Sequence, residues 1–193
     1  MAIDKPIRNI TISGRIASGS TTLGKSLGEV LGWKHLEGGE VFWEEVREKL
    51  HLDSKDTDKR PDEEDEKFDE SLKKMLATQE HLIIETKLAG FNAQKINDVY
   101  KILVICNDEK GNDQTQIRID RLVNREGISI EDAKREVLER ENNDMQKWRK
   151  LYGNNDPNWS FYDDGYYDLV INSFNHDKKE SLEMAMENLP ISI

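Results

Sequence analysis

The segment Ser13-Gly14-Arg15-Ile16-Ala17-Ser18-Gly19-Ser20-Thr21-Thr22 holds the residues whose types and spacing speak most directly of chemistry. Its glycines keep the G-x-x-x-x-G spacing of a phosphate-binding loop, with hydroxyl residues directly after the second. Two glycines let the backbone curl into a nest of N–H donors, and a helix opening behind them adds partial positive charge for an anion. Thr21 stands where a hydroxyl would ligand Mg²⁺, while Ser20 occupies the place of the lysine that would reach the β- and γ-phosphates. Two cations are placed to substitute. Arg15 lies within the loop and is favoured; Lys25 lies about 7.5 Å further along a helix rising 1.5 Å per residue. The competing reading is a glycine-rich turn that binds nothing.

Such a loop must join a strand to a helix, and the flanking pattern supplies both. Ile7 to Ser13 is β-branched and strand-like, and Thr21 to Leu31 is helix-like, stopped by Gly32. Further strands are expected at Trp33 to Glu37, His81 to Glu85, Tyr100 to Cys106 and Tyr167 to Asn172. Helices are expected at Glu40 to Leu50, around Phe68, Leu72, Met75 and Leu76, at Arg118 to Glu126, Ile130 to Tyr152 and Lys178 to Leu189. Strands alternating with helices imply a parallel sheet covered on both faces, and continuous apolar runs fit strands buried on both sides. In such sheets ligands gather past the carboxyl ends of strands, which singles out Gly14, Glu37, Glu85 and Asn107.

The 193 residues include 39 acids and 28 bases, for a net charge of −11, with 36% hydrophobic residues. Acid excess argues against a general nucleic-acid binder, which needs a basic face, but a local site can oppose the global charge. Asp53 to Glu70 alone carries ten acids and four bases, a net −6. No run approaches the roughly 20 apolar residues of a membrane span, and the first residues lack a signal peptide's apolar run. Cys106, the single cysteine, sits in an apolar run and reads as a buried strand residue. A cytoplasmic protein is the expectation. The four histidines show no metal-ligand spacing. The aromatic stretch Trp148, Tyr152, Trp159, Phe161 and Tyr162 reads as packing rather than base stacking.

Five segments in register resemble the cytidylate kinases, in particular the short archaeal type of these P-loop nucleoside monophosphate kinases. They are Ile12 to Gly32; Gly39-Glu40-Val41-Phe42; Ile84-Glu85-Thr86-Lys87-Leu88-Ala89-Gly90; Arg118 to Gly153, with Arg125-Glu126-Gly127-Ile128-Ser129, Arg140-Glu141 and Leu151-Tyr152-Gly153; and Tyr167 to Asn172. The resemblance implies an α/β three-layer sandwich with a five-stranded parallel sheet, in a single domain over residues 1–193. It implies a helical monophosphate-binding insertion at about 40–79 and a lid at about 118–153. It also implies transfer of a phosphoryl group from ATP to a nucleoside monophosphate, CMP or dCMP, with Mg²⁺, by a monomer. A catalytically weak nucleotide-binding protein and a kinase for another small phosphate acceptor are the alternatives.

Carried onto this chain, the family's ATP site covers Gly14, Ala17, Ser18, Gly19, Ser20, Thr21 and Thr22. Thr21 and Glu85 would hold the metal. Glu40, Trp43, Asp65, Asp69 and Lys87 would meet the monophosphate. Arg15, Lys87, Arg121, Arg125 and Arg140 would serve catalysis, because guanidinium and ammonium groups stabilise a phosphoryl group in flight. Arg118, Arg121 and Arg125 are spaced to share a helix face, with surface ion pairs to Asp120 or Glu126 as the competing use. The departures are cationic: Trp43 and Lys87 stand where the family has arginine, Lys147 stands for the arginine before an aromatic, and Ser20 replaces lysine.

Overall fold

A computed structural model describes residues 7–38 and 60–190. Glu40, Trp43, the expected helix at Glu40 to Leu50 and the first part of the acidic stretch lie outside the described residues. Five strands form one sheet: β1 (Asn9–Gly14), β2 (Lys34–Glu37), β3 (Leu82–Glu85), β4 (Val99–Ile105) and β5 (Leu169–Asn172). Their order is β2-β3-β1-β4-β5, with every pairing parallel. The register sets Ile12 and Glu37 on either side of Glu85. The carboxyl ends of β1, β2 and β3 therefore open on one place.

The apolar runs are continuous because both sheet faces are buried. Ile83 packs with Ile10, Ile12, Leu23, Leu27 and Ile102 on one face, while Leu82 and Ile84 pack with Phe68, Leu72 and Leu76 on the other. The first face is covered by α1 (Ser20–Leu31) and α7 (Lys178–Asn188), the second by α2 (Asp62–Thr78) and α3 (Ala89–Asn92). The buried stripe of α2 runs through Asp65, Phe68, Asp69, Leu72 and Leu76. The apolar spacing read from sequence holds, and it carries two acids inward with it.

The segment expected as one helix from Ile130 to Tyr152 consists of α5 (Ile130–Lys134), a π-helical stretch at Arg135–Arg140 and α6 (Glu141–Leu151). It packs on α4 (Thr115–Glu126) through Ile119, Leu122, Ala133 and Val137, with Ile16 and Ala17 of the glycine loop seated against this cluster. Trp148 and Phe161 are buried in a cluster with Tyr152, Trp159 and Tyr162, the packing role expected of that stretch. Cys106 is buried. Among the described residues no helix is long and apolar enough to cross a membrane, and no group of three or more His, Cys, Asp or Glu could hold a metal ion.

Candidate functional site

The glycine loop joins β1 to α1, as its sequence requires. Gly19 adopts φ 111°, and Ala17 adopts φ 59°, a left-handed conformation for a residue with a side chain. Gly14 sits so tightly that an added Cβ would lie 2.4 Å from Ser18 Oγ and 3.0 Å from the Val104 carbonyl. The loop is thus a closed backbone curl, and Ser18 Oγ is buried within it without a hydrogen-bond partner among the described residues. Curl, helix start and spare hydroxyl fit a bound phosphate.

Glu85 at the end of β3 meets this loop directly. Ser20 Oγ donates to its Oε1 at 2.7 Å and Thr21 Oγ1 to its Oε2 at 3.2 Å. Burial pushes the Glu85 carboxyl up, while the Ser20 and Thr21 hydroxyls pull it back and Glu37 beside it pushes further upward. The residue in the lysine position therefore serves as a donor to this carboxylate. Oxygen ligands of this kind, a threonine hydroxyl beside a carboxylate, suit Mg²⁺.

The structure places the expected cations in different settings. Arg15 donates to Glu141 Oε2 at 2.8 Å, lies 3.1 Å from Asp113 and stacks over Tyr162. Lys25 pairs with Glu37 at 2.7 Å. Arg121 donates to Ser173 Oγ and to the Ser173 carbonyl, both at 2.8 Å, beneath the loop carbonyl of Ser18 that also accepts from Ser173. Arg125 is about half exposed, bonds Glu126 at 2.7 Å, and its charge offsets a small part of the upward shift at Glu85. Arg118 turns wholly inward to Asp113, Glu141 and the Ile16 carbonyl. One helix face thus carries three arginines in three environments.

Beyond β2 and β3 lies a cavity of about 200 Å³, lined by Glu37, Arg60, Asp65, Phe68, Asp69, Glu85, Thr86, Lys87, Leu88, Arg140, Asp144 and Trp148. Ion pairs brace its walls: Asp65 with Arg60 and Lys147, Lys87 with Asp144, and Arg140 with Glu136 at 2.8 Å. Among the described residues, four polar atoms of its lining are buried with no hydrogen-bond partner: Asp69 Oδ2, Thr86 Oγ1, Arg140 Nε and Trp148 Nε1. Buried polar groups are rarely left unpaired, and such a set on one cavity would suit a polar ligand. Burial pushes the Asp69 carboxyl up, partly offset by hydrogen bonding from Asn92. Lys87 and Asp144 also line a neighbouring cavity of about 220 Å³ that reaches Arg15.

Sequence reasoning met Thr86 only as part of the family-like segment Ile84 to Gly90, where it stands for a glycine, and gave it no site role; it passed over Asp144, Asn92 and Asp113 as site residues. The others carry no motif; their roles follow from tertiary neighbours far away in sequence.

The twisted parallel sheet, the glycine loop opening α1 and the carboxylate ending β3 define a P-loop kinase. Solved structures share this fold: shikimate kinase from Bacteroides thetaiotaomicron (TM-score 0.59, 17% identity, covering 95% of this chain and 99% of that one) and a gluconokinase from Sinorhizobium meliloti (TM-score 0.59, 11% identity, covering 96% and 93%). At these identities the likeness is one of fold alone. No protein-family model matches the chain. Curated relatives are nearer in sequence. The cytidylate kinase of Haloarcula marismortui is 30% identical over 179 residues, covering 92% of this chain and 86% of that protein. The cytidylate kinase of Methanopyrus kandleri is 31% identical over 163 residues, covering 80% and 81%. The chain belongs to the cytidylate kinase family.

Proposed function

We propose that the chain transfers the terminal phosphoryl group of ATP to CMP or dCMP, releasing ADP and the nucleoside diphosphate. The observation that carries this reading is Glu85, which holds the phosphate loop through Ser20 and Thr21 and also lines the cavity with the unpaired polar atoms. A donor site and an acceptor site thereby share one wall. The cytidylate kinase names of the relatives support the choice of acceptor.

In this reading the backbone of Gly14 and Ala17 to Thr22 holds the ATP phosphates, and Thr21 and Glu85 are the residues that would hold Mg²⁺. The metal, when bound, supplies positive charge against the oxygens of the transferring group. An acceptor phosphate oxygen bonds to the γ-phosphorus while the bond to the β–γ bridging oxygen breaks. Lys87 and Arg140 face this exchange from the cavity side and Arg125 from α4, with Arg15 and Arg121 holding the loop. Asp65 and Asp69 face the acceptor base, in an insertion at about 40–79 that includes Glu40 and Trp43. Residues 118–153 act as the lid. No covalent nucleophile is needed, because positioning and charge carry this chemistry.

A coupled assay of ADP release with CMP, dCMP, UMP and AMP tests the proposal. Turnover with CMP or dCMP above the others is the expected result, and no turnover with any at micromolar enzyme would overturn it. A second reading, a nucleotide-binding protein of weak activity, draws on the ion pairing of Arg15 and on Ser20 in the lysine position. It would show as a rise in melting temperature with ATP and Mg²⁺ but no ADP release.

A further inference from the structure

The acids that line the cavity are held in different ways. Glu37 pairs with Lys25, Asp65 with Lys147 and Asp144 with Lys87, while Glu85 takes the loop hydroxyls. Asp69 is held by a neutral amide: Asn92 Nδ2 donates to its Oδ1 at 2.7 Å, in a fully buried hydrogen bond. The Tyr152 hydroxyl approaches the same carboxyl without reaching hydrogen-bond geometry, so among the described residues Asp69 Oδ2 is left buried with acceptor capacity to spare.

Asn92 is itself firmly placed. It ends α3, the short helix that follows Glu85, Thr86 and Lys87 along the chain. Its N–H bonds the Leu88 carbonyl at 2.9 Å, and two residues earlier the Gly90 N–H donates to Ser13 Oγ of β1 at 3.0 Å. The segment that carries the phosphoryl-transfer end of the site thus also fixes the rotation of Asp69. A neutral donor orients a carboxylate without neutralising it. A cation in its place would compete for the charge.

We propose that Asn92 is a positioning residue that sets Asp69 to accept the exocyclic amino group of the acceptor base, so that the site selects aminopyrimidine over ketopyrimidine monophosphates. This rests on the acceptor reading given above. An amino group presents an N–H to the free Asp69 oxygen. A uracil carbonyl at the same place would set lone pairs against lone pairs, leaving the carboxylate unpaired, and sites built on a buried polar partner reject such analogues strongly.

Steady-state kinetics with CMP and UMP test this in the wild type, Asn92→Leu, Asp69→Asn and the double variant. Asn92→Leu keeps the side-chain size and removes the donor. It should raise KM for CMP about tenfold and cut the CMP-to-UMP ratio of kcat/KM by a similar factor. KM for ATP should stay within about twofold. In the Asp69→Asn background the same change should cost nothing further, because Asn92 acts through Asp69. An unchanged CMP-to-UMP ratio, additive losses, or a general fall in activity together with melting temperature would overturn the proposal while leaving the acceptor reading intact. A wild-type chain that turns over neither CMP nor UMP would overturn both. Should Asn92→Leu fail to fold, Asn92→Ser is judged by the same outcomes.

Discussion

Arg118 and Glu141 hold one residue of the glycine loop, Ile16, at its carbonyl and its N–H. They form a two-pronged ion pair, Nη1 to Oε1 at 2.8 Å and Nη2 to Oε2 at 3.1 Å. Arg118 Nη1 also donates to the Ile16 carbonyl at 2.8 Å, while Glu141 Oε1 accepts from the Ile16 N–H at 2.7 Å. The guanidinium is wholly buried. A loop bearing a left-handed Ala17 needs its neighbours to impose that conformation, and this pair does so from α4 and α6.

Glu141→Gln should therefore both destabilise the protein and loosen the loop. Removing one partner of a buried, hydrogen-bonded pair costs about 3–5 kcal/mol, which for a chain of this size lowers Tm by roughly 10 °C. Calorimetry should show that drop, and KM for ATP should rise with it. A Tm within about 1 °C of wild type would show the pair to be dispensable. Arg118→Lys should fall between, since lysine keeps the charge but loses the fork.

This pair also marks where sequence reading stops. The strands were legible, because runs such as His-Leu-Ile-Ile-Glu at 81–85 follow from burial on both faces of a sheet. The loop was legible from its glycines, and Glu85 from its position at a strand end. The setting of Arg15 was not, since its partner Glu141 lies 126 positions away. The three arginines of α4 share a spacing, yet only the packing around each decides which is core, which is brace and which is exposed. The π-helical stretch had no compositional signal, because Arg135–Arg140 reads as ordinary amphipathic helix.

Asp113 gives the acid response of the same network. Burial works against its charge, but hydrogen bonds from Arg118 and Thr115 and the charges of Arg15 and Arg118 outweigh this and hold the carboxyl below its ordinary 3.8. Its stabilising contribution is complete above that ordinary value and is lost as pH falls through the lowered folded value. Denaturant melts of wild type and Asp113→Asn should thus differ most near neutral pH and converge in strong acid. A gap that stayed constant with pH would contradict this.

Asp69 has the opposite sign. Burial raises its carboxyl, more than Asn92 and the approach of Tyr152 pull it back. At pH above both values the fold must carry a buried charge, a cost that fades as pH falls through the raised value and is gone below the ordinary one. Asp69→Asn should therefore melt higher than wild type at neutral pH, with the advantage shrinking on acidification, while binding of CMP weakens. Stability gained where function is lost is the pattern of a binding residue held at a cost. A variant less stable at neutral pH would assign Asp69 to the architecture instead.

On the proposed reading, Arg125 is the arginine of α4 that would make good the charge absent at Ser20. It is about half exposed, bonded within the described residues to its neighbour Glu126, and its charge is felt at Glu85. The other arginines of that face are braces: Arg118 for Ile16 and Arg121 for Ser173. Arg125→Ala should leave Tm nearly unchanged, since the side chain is exposed, yet lower kcat/KM for ATP on the order of 10²-fold, the scale of losing a charge aimed at the transition state. Ser20→Lys in that background places an ammonium beside Glu85 in the lysine position and should recover about tenfold. Activity of Arg125→Ala within about twofold of wild type would remove it from the mechanism. A loss that Ser20→Lys does not repair would keep Arg125 in the mechanism, acting elsewhere than at the phosphates a P-loop lysine would reach.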